Sequence, residues 1–443
     1  MTIQSTTALE FRTTGDNTNG GAFDSGISGA GTDYTLQDSA QLTLTDIAST
    51  TGTSVLTSAT GGFTAAMVGN AIQISSGTNF TAGFYFIVTY TNTNTVTVDR
   101  DPTTGSNGSS GSGKLGGALD TPTDTILEQF VAGTIFWLKY GTFALTESIS
   151  MSLTGTPANM CKIIGYNTTR GDKPTGSNRP TIAAGSNSFR VNYCWTVQNI
   201  ILTTEETSGL AGPTADGDGF FLNCKANNSY SSGGRYAFYL RDMRCIQCEG
   251  ISNDGYAFGV IDGPSDIWYC YAHDSNTGFL SDGSTDIMNC TNCVADTCTI
   301  GVDLGLFSSF VNGVVYNCTT GISLDEGTSG TCTIISNIIS DCTTGVSADA
   351  DYENNVGFYN LYYNNTSDTS NFTKGDNNVS GNPNFSDPSN GDFTCSSGGA
   401  ALNAGVDYAN VGLTGAYKLN IGVDQDDNAA GGGGGAFAFT YIN

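Results

Sequence analysis

Five glycines recur along the second half of the chain at nearly constant spacing. Gly255, Gly278, Gly301, Gly321 and Gly345 are separated by 23, 23, 20 and 24 residues. Each is followed by an apolar or aromatic residue: Tyr256, Phe279, Val302, Ile322 and Val346. Cys298, Cys318 and Cys342 stand three residues before the last three glycines. Cys270 and Cys293 stand eight residues before Gly278 and Gly301. One coil of a β-solenoid, with three short strands and three turns, uses a period of this length. Coils stack about 4.8 Å apart, so equivalent side chains form ladders. The cysteines are therefore expected as an inward ladder, and the glycines at turns or close coil contacts. Residues 220–224 and 236–245 read as preceding coils, and 161–164 and 200–202 as coils nearer the start.

Composition supports an all-β chain. Charged residues are 13% of 443, yet the formal net charge is −26. A disordered acidic chain would lack the 23 Phe and 20 Tyr present here. A helical one would be rich in Ala, Leu, Glu and Lys, and only residues near 124–131 read that way. Fifteen Lys and Arg against 41 Asp and Glu argue against nucleic acid as a partner. An anionic membrane surface is disfavoured for the same reason. No apolar run approaches the ~20 residues of a membrane span. Residues 1–7 show neither the basic nor the apolar region of a secretory signal. Thirteen Cys accompany a single His, His273. Cys245-x-x-Cys248 and Cys290-x-x-Cys293 have zinc-like spacing, but zinc needs four convergent thiolates or imidazoles. The expectation is no metal and no cofactor, with the Cys as small buried hydrophobes.

Four segments follow from the pattern. Residues 1–36 open the solenoid. Residues 37–117 form an inserted β-rich module, with alternating strands at 42–44, 71–74, 83–88 and 96–98. The Gly/Ser-rich stretch 103–113 within it reads as a flexible connector or exposed loop. Residues 118–426 carry the solenoid, and 427–443 are a glycine leash and a short apolar strand. Phe437, Phe439 and Tyr441 alternate on that strand and are expected either to cap the solenoid or to add to a neighbouring chain as an assembly contact.

Several motifs carry a resemblance. Residues 11–21 (FRTTGDNTNGG), 137–143 (WLKYGTF), 163–167 (IIGYN), 382–393 (NPNFSDPSNGDF) and 421–424 (IGVD) resemble the successive elements of right-handed parallel β-helix proteins of the pectate-lyase-like family. The resemblance covers roughly residues 8–36 and 118–426. It implies that fold and leaves activity open, because the family holds lyases, phage tailspikes and non-catalytic surface proteins. The whole chain also resembles structural proteins of tailed bacteriophages. That implies a virion protein, a tail fibre or spike or a head decoration, made in the host cytoplasm and trimeric by analogy with tailspikes. Its partners would be other virion proteins and a host-surface polysaccharide. The alternative is a polysaccharide lyase or glycoside hydrolase of tailspike type.

Catalytic candidates cluster in the middle coils: Asp262, Asp266, His273, Asp282 and Asp286. A glycosidase needs two carboxylates at a set separation. Coil stacking brings equivalent carboxylates close automatically, so turn chemistry accounts for most of these Asp. His273 and Asp296 both precede their glycine by five residues and are expected side by side. Trp268, Tyr269, Tyr271 and Arg241 are the candidates for contact with sugar rings or acidic sugars. Asp216-Gly-Asp218-Gly is a weak Ca²⁺ candidate, short of an EF-hand loop.

Overall fold

The computed structural model describes residues 8–21, 38–151, 153, 155–205, 208–211, 219–230, 234–261, 263–281, 286–324, 331–349, 356–402, 404–405 and 421–422. It shows a parallel β-solenoid of about nine turns with a separate small antiparallel module near the N-terminus. The chain divides into two compact units, residues 1–201 and 202–443.

In the first unit the opening strand Ala8–Phe11 lies parallel to Ile135–Lys139, which pairs in turn with Cys161–Tyr166. Between the first two of these strands the chain leaves to build a closed six-stranded barrel, from Leu42–Ser49 to Gly108–Leu115. Alternation drives the barrel closed: Leu44, Ile47, Leu56, Ile72, Ile74, Tyr85 and Val96 point inward together. The Gly/Ser-rich stretch is not the loop expected of it. Residues 108–115 are the strand that pairs with both Leu42–Ser49 and Ala71–Thr78. Its glycines are needed because Phe80 lies across Gly108 and Gly111, leaving no room for a Cβ.

The opening strand is fixed by charge. Glu10 is fully buried and accepts from Arg12 Nε at 3.0 Å and Arg170 Nε at 2.8 Å, while the Tyr166 hydroxyl also donates to it. Two guanidiniums and a phenol thus neutralise and saturate one carboxylate that would otherwise be costly to bury.

In the second unit each coil contributes one strand to each of three parallel sheets, numbered in coil order: Met243–Ile246 lies on the first, Glu249–Ser252 on the second and Tyr256–Val260 on the third. The interior is lined by stacked side chains. Phe238, Phe258 and Phe279 stack on the third sheet, with centroids 4.7 and 5.0 Å apart. Corners between the first and second sheets place Asn223, Gln247, Tyr269, Asn292, Asn312, Ser336 and Tyr359 in the left-handed region. Corners between the second and third do the same with Asp274, Thr297, Asn317, Asp341 and Asn364. Asn and Asp tolerate this conformation best, which explains their abundance.

The repeat glycines therefore do not make the turns. Gly278, Gly301, Gly321 and Gly345 lie on strands in one ladder. A Cβ on Gly278 would stand 2.5 Å from the Gly301 carbonyl oxygen, and one on Gly301 2.6 Å from that of Gly321. Close approach of coils, not turn geometry, selects glycine here. Gly255 is outside this ladder: Tyr256 pairs with Thr277 and Phe258 with Phe279, which sets Ala257 opposite Gly278.

All thirteen Cys are buried and none is in a disulfide. At the first corner they form a ladder in which the Cys224 N–H donates to Cys248 Sγ and the Cys248 N–H to Cys270 Sγ, both at 3.4 Å. Further along, Asn takes the same place: the Gly313 N–H donates to Asn337 Oδ1 at 2.7 Å and the Asn337 N–H to Asn360 Oδ1 at 2.9 Å.

Two outcomes are expected. Gly301→Ala forces adjacent coils apart and lowers stability by about 1–3 kcal/mol, seen as a reduced denaturation midpoint. Glu10→Gln removes the buried carboxylate that Arg12 and Arg170 share, with Asp38 left on Arg12, and costs about 3–5 kcal/mol, seen in the same measurement as destabilisation of the first unit.

Candidate functional site

The outward positions of the second sheet define the site. One outward ladder runs Lys225, Glu249, Tyr271, Val294, Val314, Ile338 and Leu361. The other runs Ile251, His273, Asp296, Tyr316, Ser340 and Tyr363. Both change character along the coils. From Val294 onward the first ladder is apolar, and C-terminal residues roof it: Phe393, Cys395, Ala401 and Ile421 pack on Val294, Val314, Ile338 and Leu361. The roof includes the hairpin of Phe385–Asp387 and Asp392–Cys395. Its edge is aromatic, with Phe393 5.5 Å from Tyr316 and 6.5 Å from Tyr271. Before that edge the same sheet carries Lys225, Glu249 and His273.

These polar groups form one connected cluster. Lys225 Nζ donates to Glu249 Oε1 at 2.6 Å. His273 Nε2 meets the same oxygen at 3.1 Å, and its Nδ1 meets Asp274 Oδ2 at 2.7 Å. The Tyr271 ring stacks on His273 at 4.4 Å, and its hydroxyl donates to Asp296 Oδ2 at 2.9 Å. Thr297 Oγ1 donates to Asp296 Oδ1 at 2.7 Å.

The carboxylates are driven in opposite directions. Burial opposes ionisation of Glu249, but hydrogen bonds from His273 and Lys225 and their charge overcome it and hold the carboxyl down to about 2. Burial also dominates at Asp296, and there the Thr297 and Tyr271 hydrogen bonds do not offset it, so its pKa is raised. For His273 burial works against the charged form and is outweighed by Glu249 and Asp274, which raise its pKa. Two carboxyl groups pushed apart in this way can hold and release a proton at one site.

The other sequence candidates are dispersed. Asp266 lies on the first sheet, where it faces Arg244 at 3.7 Å and accepts from Asn289. Asp286 is buried just before a first-sheet strand, and its carbonyl accepts from the Ser281 and Ser308 hydroxyls. Neither shares a sheet position with His273. Trp268 ends a first-sheet strand, Tyr269 occupies a left-handed corner, and Arg241 precedes the strand Met243–Ile246. Only Tyr271 of that group joins the cluster. Asp216, Asp218, Asp262, Asp282, Phe437, Phe439 and Tyr441 lie outside the described residues. His273 and Asp296 do stand in register. Lys225 and Glu249 were missed, although a signal exists: Lys225, Glu249, Tyr271 and Val294 each directly follow a corner cysteine.

The fold and site together define a parallel β-solenoid with a partly roofed polar face. No family model matches the chain, and no curated protein matches it. Among solved structures, it is similar to pectate lyase Pel9A at a TM-score of 0.44 and 13% identity, covering 67% of this chain and 88% of that one. It is similar to the tailspike protein gp49 of Pseudomonas phage LKA1 at a TM-score of 0.23 and 11% identity, covering 75% and 64%. The catalytic domain of a GH87 α-1,3-glucanase, in complex with nigerose, gives 0.25 and 8%, covering 77% and 87%. The solenoid assignment rests on the strand register above.

The pH dependence follows from the two shifts. The stabilisation from Glu249 is complete above its unfolded value of 4.5 and is lost as pH falls toward about 2. That from His273 is complete below 6.5 and is lost as pH rises through its higher folded value. NMR titration is expected to place His273 above 6.5 in the native chain and lower in Glu249→Gln. A native His273 titrating at or below 6.5 contradicts the ion-pair arrangement.

Proposed function

We propose that this chain is a non-catalytic β-helix of a bacteriophage particle, a tail spike or fibre or a head decoration, that engages a host-surface polysaccharide at the edge of its roofed second sheet. The observation that carries the glycan reading is the juxtaposition there of a stacked Tyr271–His273 pair with Lys225, Glu249 and Asp296. Sugars present alternating apolar faces and hydroxyl rims, which an aromatic edge flanked by charged acceptors and donors complements. The structural role is supported by the register itself, since stacked coils with paired backbones make a stiff, protease-resistant body. The phage setting, a trimeric assembly, contact with other virion proteins and location on the extracellular particle rest on the sequence resemblance.

One observation favours a catalytic second reading: Glu249 is held ionised while Asp296, two coils further on and linked to it through His273 and Tyr271, is raised, which suits a base and an acid in one cluster. The two readings separate in one experiment. Purified chain is incubated with a panel of bacterial capsular and O-antigen polysaccharides, and retention, ultraviolet absorbance and reducing ends are followed. Retention without new ends, lost in Glu249→Gln, supports a binding role. New reducing ends that vanish in both Glu249→Gln and Asp296→Asn establish cleavage instead, by hydrolysis where ultraviolet absorbance stays flat and by β-elimination where it rises. No retention of any polysaccharide overturns the glycan site, and a stable monomer by light scattering overturns the trimer.

A further inference from the structure

We infer that the buried thiols of Cys245, Cys248 and Cys270 form a three-coordinate site for one Cu(I) ion, loaded as the solenoid folds. The three Sγ atoms all lie within 4.8 Å of one another. They come from two ladders that converge. Cys248 and Cys270 are successive members of the first-corner ladder, and Cys245 points inward from the first-sheet strand Met243–Ile246. A three-sulfur site with metal–sulfur bonds of ~2.3 Å needs sulfurs ~4 Å apart, so closure asks for shifts below one ångström. Thiolates are the ligands that such soft ions prefer.

The corner does not need sulfur for its own sake. In later coils Asn337 and Asn360 accept the equivalent N–H through Oδ1. Cysteine holds that corner place at Cys224, Cys248, Cys270 and Cys293, and the strand cysteine Cys245 points inward beside two of them. There the backbone supplies what bound thiolates require: the Cys224 N–H aims at Cys248 Sγ, and the Cys248 N–H at Cys270 Sγ. Such N–H···S bonds stabilise negative charge on sulfur. Among the described residues, the Cys298, Cys318 and Cys342 ladder at the other corner forms no such group of three converging sulfurs.

Without metal the sulfurs make weak hydrogen bonds to backbone carbonyls of the core. Cys248 donates to the Ile246 carbonyl at 3.3 Å, and Cys270 to those of Trp268 and Cys245 at 3.4 Å. Burial and mutual repulsion raise Cys245 and Cys270 well above the usual thiol range. Loading releases one proton from each coordinating thiol and exchanges these weak S–H bonds for metal–sulfur bonds. The sulfurs are sealed from solvent, so the ion enters before the coils close.

The test uses the full chain, unfolded under reducing anaerobic conditions and refolded with Cu(I), then desalted. One equivalent of copper, retained by mass spectrometry with a thiolate charge-transfer band, is expected. It should fall at least tenfold in Cys248→Ser and in Cys245→Ser, and stay unchanged in Cys318→Ser. Circular dichroism confirms that each variant has folded; should a serine variant fail, the alanine variant is read instead. Native chain that retains no copper, or a folded Cys245/Cys248 double variant that retains as much as the native chain, overturns the site.

Discussion

Everything in the second unit depends on one constraint: each coil must sit at strand spacing on the next, with its corners in register. The corners enforce this by bonding N–H groups of one coil to a side chain of its neighbour. Cys248 and Cys270 do so through sulfur, Asn337 and Asn360 through oxygen. The glycine ladder removes the Cβ atoms that would hold coils apart. Left-handed Asn and Asp make the bends that return each strand to its sheet. Register then determines the surface. Whatever follows a corner cysteine by one residue stands on the outward side of the second sheet.

That rule explains both what was legible in the sequence and what was not. The period, the buried cysteines and the His273–Asp296 pairing follow from spacing alone. The glycines were a good ruler for the four coils that share the ladder. At Gly255 the ruler slips, because a change in corner length puts Ala257 in the glycine's place. Glu249 and Lys225 were hidden by that slip. A ruler laid on Cys224, Cys248, Cys270 and Cys293 crosses the same coils without it. Residues 103–113 failed for a different reason. Gly and Ser usually mark a mobile link, but in residues 108–115 they leave space for the Phe80 ring against the barrel wall.

Proximity in sequence was also a poor guide to the site. Asp266 and His273 are seven residues apart and lie on different sheets, separated by the corner at Tyr269. Glu249 is 24 residues from His273 and touches it. In a stacked fold the distance that counts is measured modulo one coil, so site residues are found by phase and not by nearness. The roof adds what phase cannot show: it covers the apolar end of the outward ladders and leaves the charged end as an edge.

The inserted barrel has a consequence for the order of events during folding. Ala8–Phe11 finds its only described sheet partner in Ile135–Lys139, and Glu10 gains its second guanidinium only from Arg170. A chain made from its N-terminus therefore carries its first strand unseated while the whole barrel is completed. Residues 8–11 are made before the barrel yet dock after it, and until then Ile135–Lys139 lacks the partner on that edge.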